Sequence, residues 1–267
     1  MEYLIGEYIE ILDRELKEKE YQDFLEANTR FIPRHFVQNH GVHMSIVLRK
    51  LKISNDMITD FVILSKSSIG WNYILVEIEK PSSRFFKPGS TDVHSDFMGG
   101  IKQIKSWQAW FSKPDNKAYF EAQLRFIKKP ISNTPVEMKY VLVTGRRSEY
   151  EDSEDKIHTI RSFESDDFKI MSFDSLSENV RNNEELYLGV RRQGSIEIKS
   201  QKVLDTTFLE WCDDSDFQLN PEIKKLFLEY LENKKESYDS NPTIGKLGAD
   251  QINKTINRVS KMKVTNA

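Results

Sequence analysis

Residues 71 to 81 read WNYILVEIEKP, an apolar run that takes on glutamate at two alternate positions and then ends in lysine and proline. Side chains two apart on a strand share a face. Asn72, Ile74, Val76 and Ile78 therefore line one side of this strand, and Tyr73, Leu75, Glu77 and Glu79 the other. The second face starts with Tyr73 and Leu75, so it begins buried and then places two like charges side by side. A half-buried carboxylate pair is costly unless something compensates the charge. Pro81 ends the pairing directly behind it.

Upstream, MITDFVIL from Met57 alternates Ile58, Asp60, Val62 and Leu64 against Phe61 and Ile63, a second strand joined to the first through the turn SSIG. Before it, Ile5, Tyr8, Leu12 and Leu16 fall at helical spacing, and YQDFLEAN (residues 21–28) predicts a short helix with Phe24 and Leu25 inward. Residues 30–50 show no clear period. Downstream, KPSSRFFKPGST is a loop punctuated by Pro81, Pro88 and Gly89. Ser95 to Phe111 predicts a helix with Gly99 and Gly100 as a weak point near its start. MKYVLVTG and FKIMSF (residues 168–173) predict two more strands, and the charged run RRSEYEDSED (residues 146–155) a solvated loop or helix start. YLGVRRQGSIEIK predicts a hairpin turning at Gln193-Gly194. Asn220 as cap and Pro221 at the first position open a helix with the stripe Ile223, Leu226, Phe227, Tyr230 and Leu231. Beyond Lys234 the chain is polar, which predicts a flexible or loosely docked tail. No internal repeat is present. Helix, strand, strand, helix, strand, strand, with a helical start and end, predicts an α/β core with a mixed sheet.

Composition narrows the function classes. In 267 residues, 38% are hydrophobic and 30% charged, with a formal net charge of -3. That is a core-forming protein with a charged surface, and such a total neither requires nor excludes a nucleic-acid partner, since a local basic groove is what matters. Cys212 is the single cysteine, so an intrachain disulfide and a multi-cysteine zinc site are excluded. No apolar run reaches the roughly 18 residues of a membrane span. The opening MEYLIGEYIE is acidic where a signal peptide is basic, so a cytoplasmic location without a membrane partner is expected.

Asp60, Glu77 and Glu79 lie on two strands joined by a short turn, close enough for Asp60 and Glu77 to reach one ion. Hard oxygen ligands suit Mg²⁺ or Mn²⁺. Such an ion polarises a phosphodiester and lowers the pKa of a bound water, and a nearby lysine or carboxylate can orient or deprotonate that water. The competing reading is an exposed strand face with alternate charges.

The series FLEAN, ITDFVIL, YILVEIEKP, a helix with IKQIKSW, VLVTGRR and IMSFDSL resembles the nuclease domain of the Shedu antiphage-defence proteins, of the PD-(D/E)XK nuclease superfamily. The resemblance spans roughly residues 20–180. It implies a restriction-endonuclease-like α/β core with a mixed central sheet flanked by helices, and a metal-dependent DNA endonuclease with Mg²⁺ or Mn²⁺ as cofactor. Asp60 and Glu77 would be its metal ligands, Glu26 the acid on the early helix, and Gln103 the helix glutamine that places water or phosphate. The motif's lysine position is Glu79, and Lys80 comes one residue late, on the opposite face unless a bulge intervenes. Either Glu79 acts as base or ligand, or the domain is impaired and only binds DNA or a protein. The implied organisation is a helical segment at 1–19, the nuclease-like domain at 20–212 and a C-terminal helix with a flexible basic tail at 213–267. A homo-oligomer is also implied.

Other candidates are weaker in chemistry. His35, His40 and His43 lack an accompanying cysteine or carboxylate at ligand spacing and are expected to be structural or surface residues. Trp107 and Trp110 are expected in a helix core, although Lys102 beside them could meet nucleic acid. Arg146 and Arg147 could contact a DNA backbone at the end of their strand. The basic tail could add phosphate attraction, and Cys212 is expected to be a buried apolar residue.

Overall fold

The strand at the centre of the sequence argument, β3 (Trp71–Ile78), is buried along its whole length and has a partner on each side. It pairs antiparallel with β2 (Phe61–Lys66), and parallel with β4 (Val136–Val143), in register from Trp71↔Val136 to Ile78↔Val143. The computed structural model describes residues 1–14, 16–127, 134–192, 194–199, 209, 214–239 and 245–265. Within these, one nine-stranded mixed sheet runs in the order β5-β4-β3-β2-β1-β6-β7-β8-β9. The remaining strands are β1 (Val42–Arg49), β5 (Phe168–Met171), β6 (Tyr187–Arg192), β7 (Ser195–Ile198), β8 (Phe217–Leu219) and β9 (Lys263–Val264).

Helices cover both faces. α1 (Glu2–Leu12) and α2 (Glu18–Ala27) pack on one side, where Tyr8, Leu12, Tyr21 and Leu25 meet Phe61, Ile63, Ile74, Val76 and Ile78. α3 (Ser95–Phe111), α4 (Pro114–Ala122) and α5 (Glu154–Arg161) pack on the other, against Val62, Leu64, Tyr73, Leu75 and Leu142. The mixed α/β fold is as the periodicities predict. Trp107 is fully buried in this second core and Trp110 packs at its edge.

Several expectations are corrected. The stretch without a clear period holds β1, whose register shifts between Val42 and Val47 and whose Met44 and Ser45 have positive φ. A bulge that breaks the two-residue alternation erases the signal by which a strand is recognised. β2 begins at Phe61 and not at Met57, so Asp60 stands at its entrance. The hairpin β6–β7 forms, with Gly194 at φ 91°, while Gln193 lies outside the described residues, as does Cys212. Asn220 caps α6 (Pro221–Asp239) by accepting from Glu222 N at 2.8 Å, but Leu226 and Tyr230 are exposed, and only Ile223, Phe227 and Leu231 of the expected stripe are buried. The tail expected to be loose contains α7 (Gly245–Lys261), whose Ile252 and Val259 bury against α6 at helical spacing. β8 and β9 continue the sheet across the expected boundary at residue 212.

Candidate functional site

Asp60 precedes β2 and is held by four groups. Its backbone N–H donates to Val76 O at 3.2 Å, while Oδ2 accepts the Ile78 N–H at 2.7 Å. Oδ1 accepts from Gln22 Nε2 at 2.9 Å and from the Lys50 ammonium. These donors hold down the ionisation cost of a carboxylate that is only 4% exposed, although burial still leaves its pKa raised.

Glu77 leaves β3 toward α3, where Gln103 Nε2 donates to its Oε1. Its Oε2 is buried and has no hydrogen-bond partner. Burial first, then the charges of Asp60 and Glu79, push its pKa up to about 10, with Lys50 opposing. Glu79 follows the last residue of β3 and is also raised, by burial and then by Glu18, Asp60 and Asp96. The site therefore gathers carboxyl groups at the carboxyl end of β3, between the two helical layers, and their closeness and burial favour protonation. A buried polar atom without a partner is rare in a folded protein and calls for a ligand or a proton.

The acid that α2 brings to this corner is Glu18. Gln22 Nε2 bridges Glu18 Oε1 at 2.8 Å and Asp60 Oδ1, and Glu18 acts electrostatically on Glu77 and Glu79. Glu26 sits two turns further along and pairs instead with Arg49 at 2.6 Å. Glu18, Gln22 and Glu26 form one i, i+4, i+8 stripe, so the spacing marks the helix face but not which end of it meets the strands. Lys80 is exposed and reaches the cluster only as a nearby charge. Lys50 is the lysine in contact. Its backbone N–H donates to Asp60 O at 2.9 Å while its ammonium meets the same residue's carboxylate. Its φ of 48° is a strained value for a residue with a Cβ, sustained by this grip at both ends. No motif spacing points to Lys50, because it follows the bulged β1.

Arg146 and Arg147 are both committed to internal pairs. Arg146 donates to Asp174 Oδ1 at 3.0 Å and Asp13 Oδ1 at 2.8 Å, and the Arg147 guanidinium pairs with Glu178. Lys102 is exposed on α3 beside Gln103. His35 and His40 are exposed, and His43 is buried edge-on against Trp71 at 4.8 Å. Among the described residues no group of three or more His, Cys, Asp or Glu side chains is already gathered as a metal-holding set.

The family model described as Shedu protein SduA, C-terminal, matches residues 15–177. The chain belongs to the Shedu family. The matched span of this Shedu protein runs from before α2 to just past β5, so it includes the whole carboxylate corner and both of its flanking helices. Membership suggests a role in antiphage defence. A comparison with curated proteins gives no match. No helix among the described residues is long and apolar enough to cross a membrane.

Proposed function

We propose that this Shedu protein is a metal-dependent DNA endonuclease on a PD-(D/E)XK-like core, acting in antiphage defence inside a prokaryotic cell. The observation that carries the reading is Glu77, a carboxylate on a central strand with one buried, unpartnered oxygen, on which the charge of a second buried acid, Asp60, acts. Such oxygen donors fit Mg²⁺ or Mn²⁺, and the orphaned Oε2 is an atom that a divalent ion would satisfy. Asp60 and Glu77 would hold the ion, which when bound polarises the phosphodiester and lowers the pKa of its water.

The remaining roles belong to the chain. Gln103 fixes Glu77 through Oε1 and leaves Oε2 for the ion. Gln22 and the Ile78 N–H orient Asp60. Glu79, less buried than Glu77 and raised in pKa by burial and then by its acidic neighbours, takes the proton from the attacking water. Lys50 supplies the positive charge that position 79 lacks, and balances the negative charge that develops on the phosphate. Lys102, on the α3 surface beside Gln103, would meet the DNA backbone. Self-association through the exposed Leu226 and Tyr230 of α6 fits the oligomer that the resemblance implies.

The test is cleavage of linear and supercoiled DNA in Mg²⁺, Mn²⁺ or EDTA. Cutting should require the ion, vanish in Asp60→Ala and Glu77→Ala, fall about 10²-fold in Lys50→Ala, and stay near wild type in Lys80→Ala. The second reading is a domain that binds DNA or a protein without cutting. The observation favouring it is that the Lys50 ammonium already pairs with Asp60. Unchanged DNA binding in all four variants, with no cutting by any of them or by wild type, would decide for it.

A further inference from the structure

Immediately beyond the carboxylates lies a cavity of 540 Å³, formed where the loop after β3 faces the turn after β4. Its wall begins at Pro81, two residues past Glu79, and the two loops are tied by Gly145 N donating to Lys80 O at 3.2 Å. β3, β4 and β5 are parallel, so the cavity opens at their carboxyl ends, where open α/β sheets bind ligands.

Its chemistry is cationic. Arg84, Lys87, Arg146 and Lys156 line it, with Ser82 and Ser148 as neutral donors. The single acid, Glu149, is turned into the structure, where Oε2 accepts the Phe85 and Phe86 N–H groups at 2.9 and 3.3 Å. Arg146 is spent on Asp13 and Asp174 and braces the wall. Lys156 donates to Glu149 O at 2.8 Å and lies over the Phe86 ring, which fixes its ammonium at the rim. The Arg84 guanidinium has no hydrogen bond or ion pair among the described residues, and Lys87 has only an exposed contact to Asp92 at 3.5 Å. An exposed pair of that kind holds a lysine weakly. Two available cations, a third at the rim and two hydroxyls around one concavity match a phosphate oxyanion, for which planar guanidinium donors are well suited.

We infer that the cavity lined by Arg84, Lys87 and Lys156 binds a phosphate group of the nucleic-acid backbone next to the carboxylate corner. This deepens the nuclease reading and rests on it for the choice of ligand. Asp96 connects the two places, since its carboxylate accepts the Arg84 N–H at 3.4 Å and its charge acts on Glu79. A backbone phosphate seated in the cavity fixes the strand's position relative to Asp60 and Glu77 and carries no base information.

The experiment is anisotropy of a labelled DNA duplex with the full chain in EDTA, as a function of salt. Arg84→Ala with Lys87→Ala should weaken binding about tenfold or more and reduce the slope of log affinity against log salt by about 1 to 2. Arg84→Lys with Lys87→Arg should keep the slope, and melting curves of both double variants show whether they fold. Lys225→Ala, on the exposed side of α6, should change nothing. An unchanged affinity and slope in the folded alanine variant overturns the assignment. A second arm uses adenosine monophosphate. If it raises the melting temperature of wild type but not of the alanine variant, while duplex binding is unaffected by the substitutions, the cavity takes a mononucleotide phosphate and the backbone assignment falls. Cleavage in Mg²⁺ is followed in parallel. A salt slope that depends on Arg84 and Lys87 upholds the cavity even if wild type never cuts, whereas cutting with an unaltered slope upholds the nuclease and removes the cavity.

Discussion

Glu77 and His43 show how burial, helped by neighbouring charge, sets a pH response. Glu77 has an ordinary value of 4.5 and is pushed up to about 10, by burial first and then by the charges of Asp60 and Glu79. Without a divalent ion, the folded chain therefore keeps a proton that the unfolded chain releases. The stability this proton supplies is complete below pH 4.5 and is lost as the pH rises toward about 10. In EDTA, Glu77→Gln should raise the melting temperature at alkaline pH and leave it nearly unchanged near the lower limit. A gap between variant and wild type that does not widen with pH would contradict this account. His43 responds in the opposite direction, because burial and then Lys66 push it down from 6.5 to about 4. Its neutral ring is 6% exposed against Trp71, so stability is full above pH 6.5 and falls as the pH drops to about 4. Melting curves of His43→Phe should be flatter than wild type across that window.

Among the elements, the turn that follows β4 decides whether the two loops of the carboxyl end can meet. Gly145 has φ 59°, and a Cβ there would stand 2.6 Å from Phe85 Cε2 and 2.7 Å from Ser83 O. The second contact is backbone, so a side chain cannot be accommodated by a rotamer change. Phe85 in turn packs on Phe97 of α3 at 5.2 Å and on Tyr150 at 5.1 Å, which couples this turn to the helix that carries Gln103. Gly145→Ala should cost about 2 kcal/mol or more, through both the left-handed backbone and the clash. Thermal or urea denaturation measures it, and a change below about 0.5 kcal/mol would show that the loop gives way freely.

For the whole molecule, the consequential fact is that the sheet does not stop where the family match stops. The match ends at residue 177, yet β1 has β2 on one side and β6 on the other, paired from Ile46↔Tyr187 to Arg49↔Val190. The chain from β6 to β9, with α6 and α7 packed over it, covers an edge that would otherwise lie open beside the strand leading to Lys50. Removing everything after Leu186 bares that edge, and exposed edges of apolar strands recruit other chains. Such a truncation should aggregate on expression while the full chain stays dispersed, as size-exclusion chromatography would show. A dispersed, cooperatively folding truncation would mean that the matched span is self-sufficient.

The division between sequence and structure follows the range of the physics involved. Regular elements of undisturbed period were legible. WNYILVEIEKP marks a buried strand with a charged end, Ser95 to Phe111 marks its helix, and Asn220-Pro221 marks a helix start, because hydrophobic alternation and capping depend on neighbours a few residues apart. The α/β class and the family followed from those elements in order. β1 was hidden by its own bulge, and α7 by a polar composition whose few apolar residues matter only once α6 lies beneath them. Of the corner of the sheet, Asp60, Glu77 and Glu79 could be read from the strands and Gln103 of α3 from the family resemblance. Whether Glu18 or Glu26 would stand beside them, and whether Lys50 or Lys80, depended on how α2 lies on the sheet and how β1 ends. Those are relations across 42 residues (Glu18 to Asp60) and 10 residues (Lys50 to Asp60), made by packing and leaving no mark on local spacing. The same holds for the cationic cavity, where Arg84 and Lys156 lie far apart in the chain and meet only because β3 and β4 run side by side and release their loops at the same end.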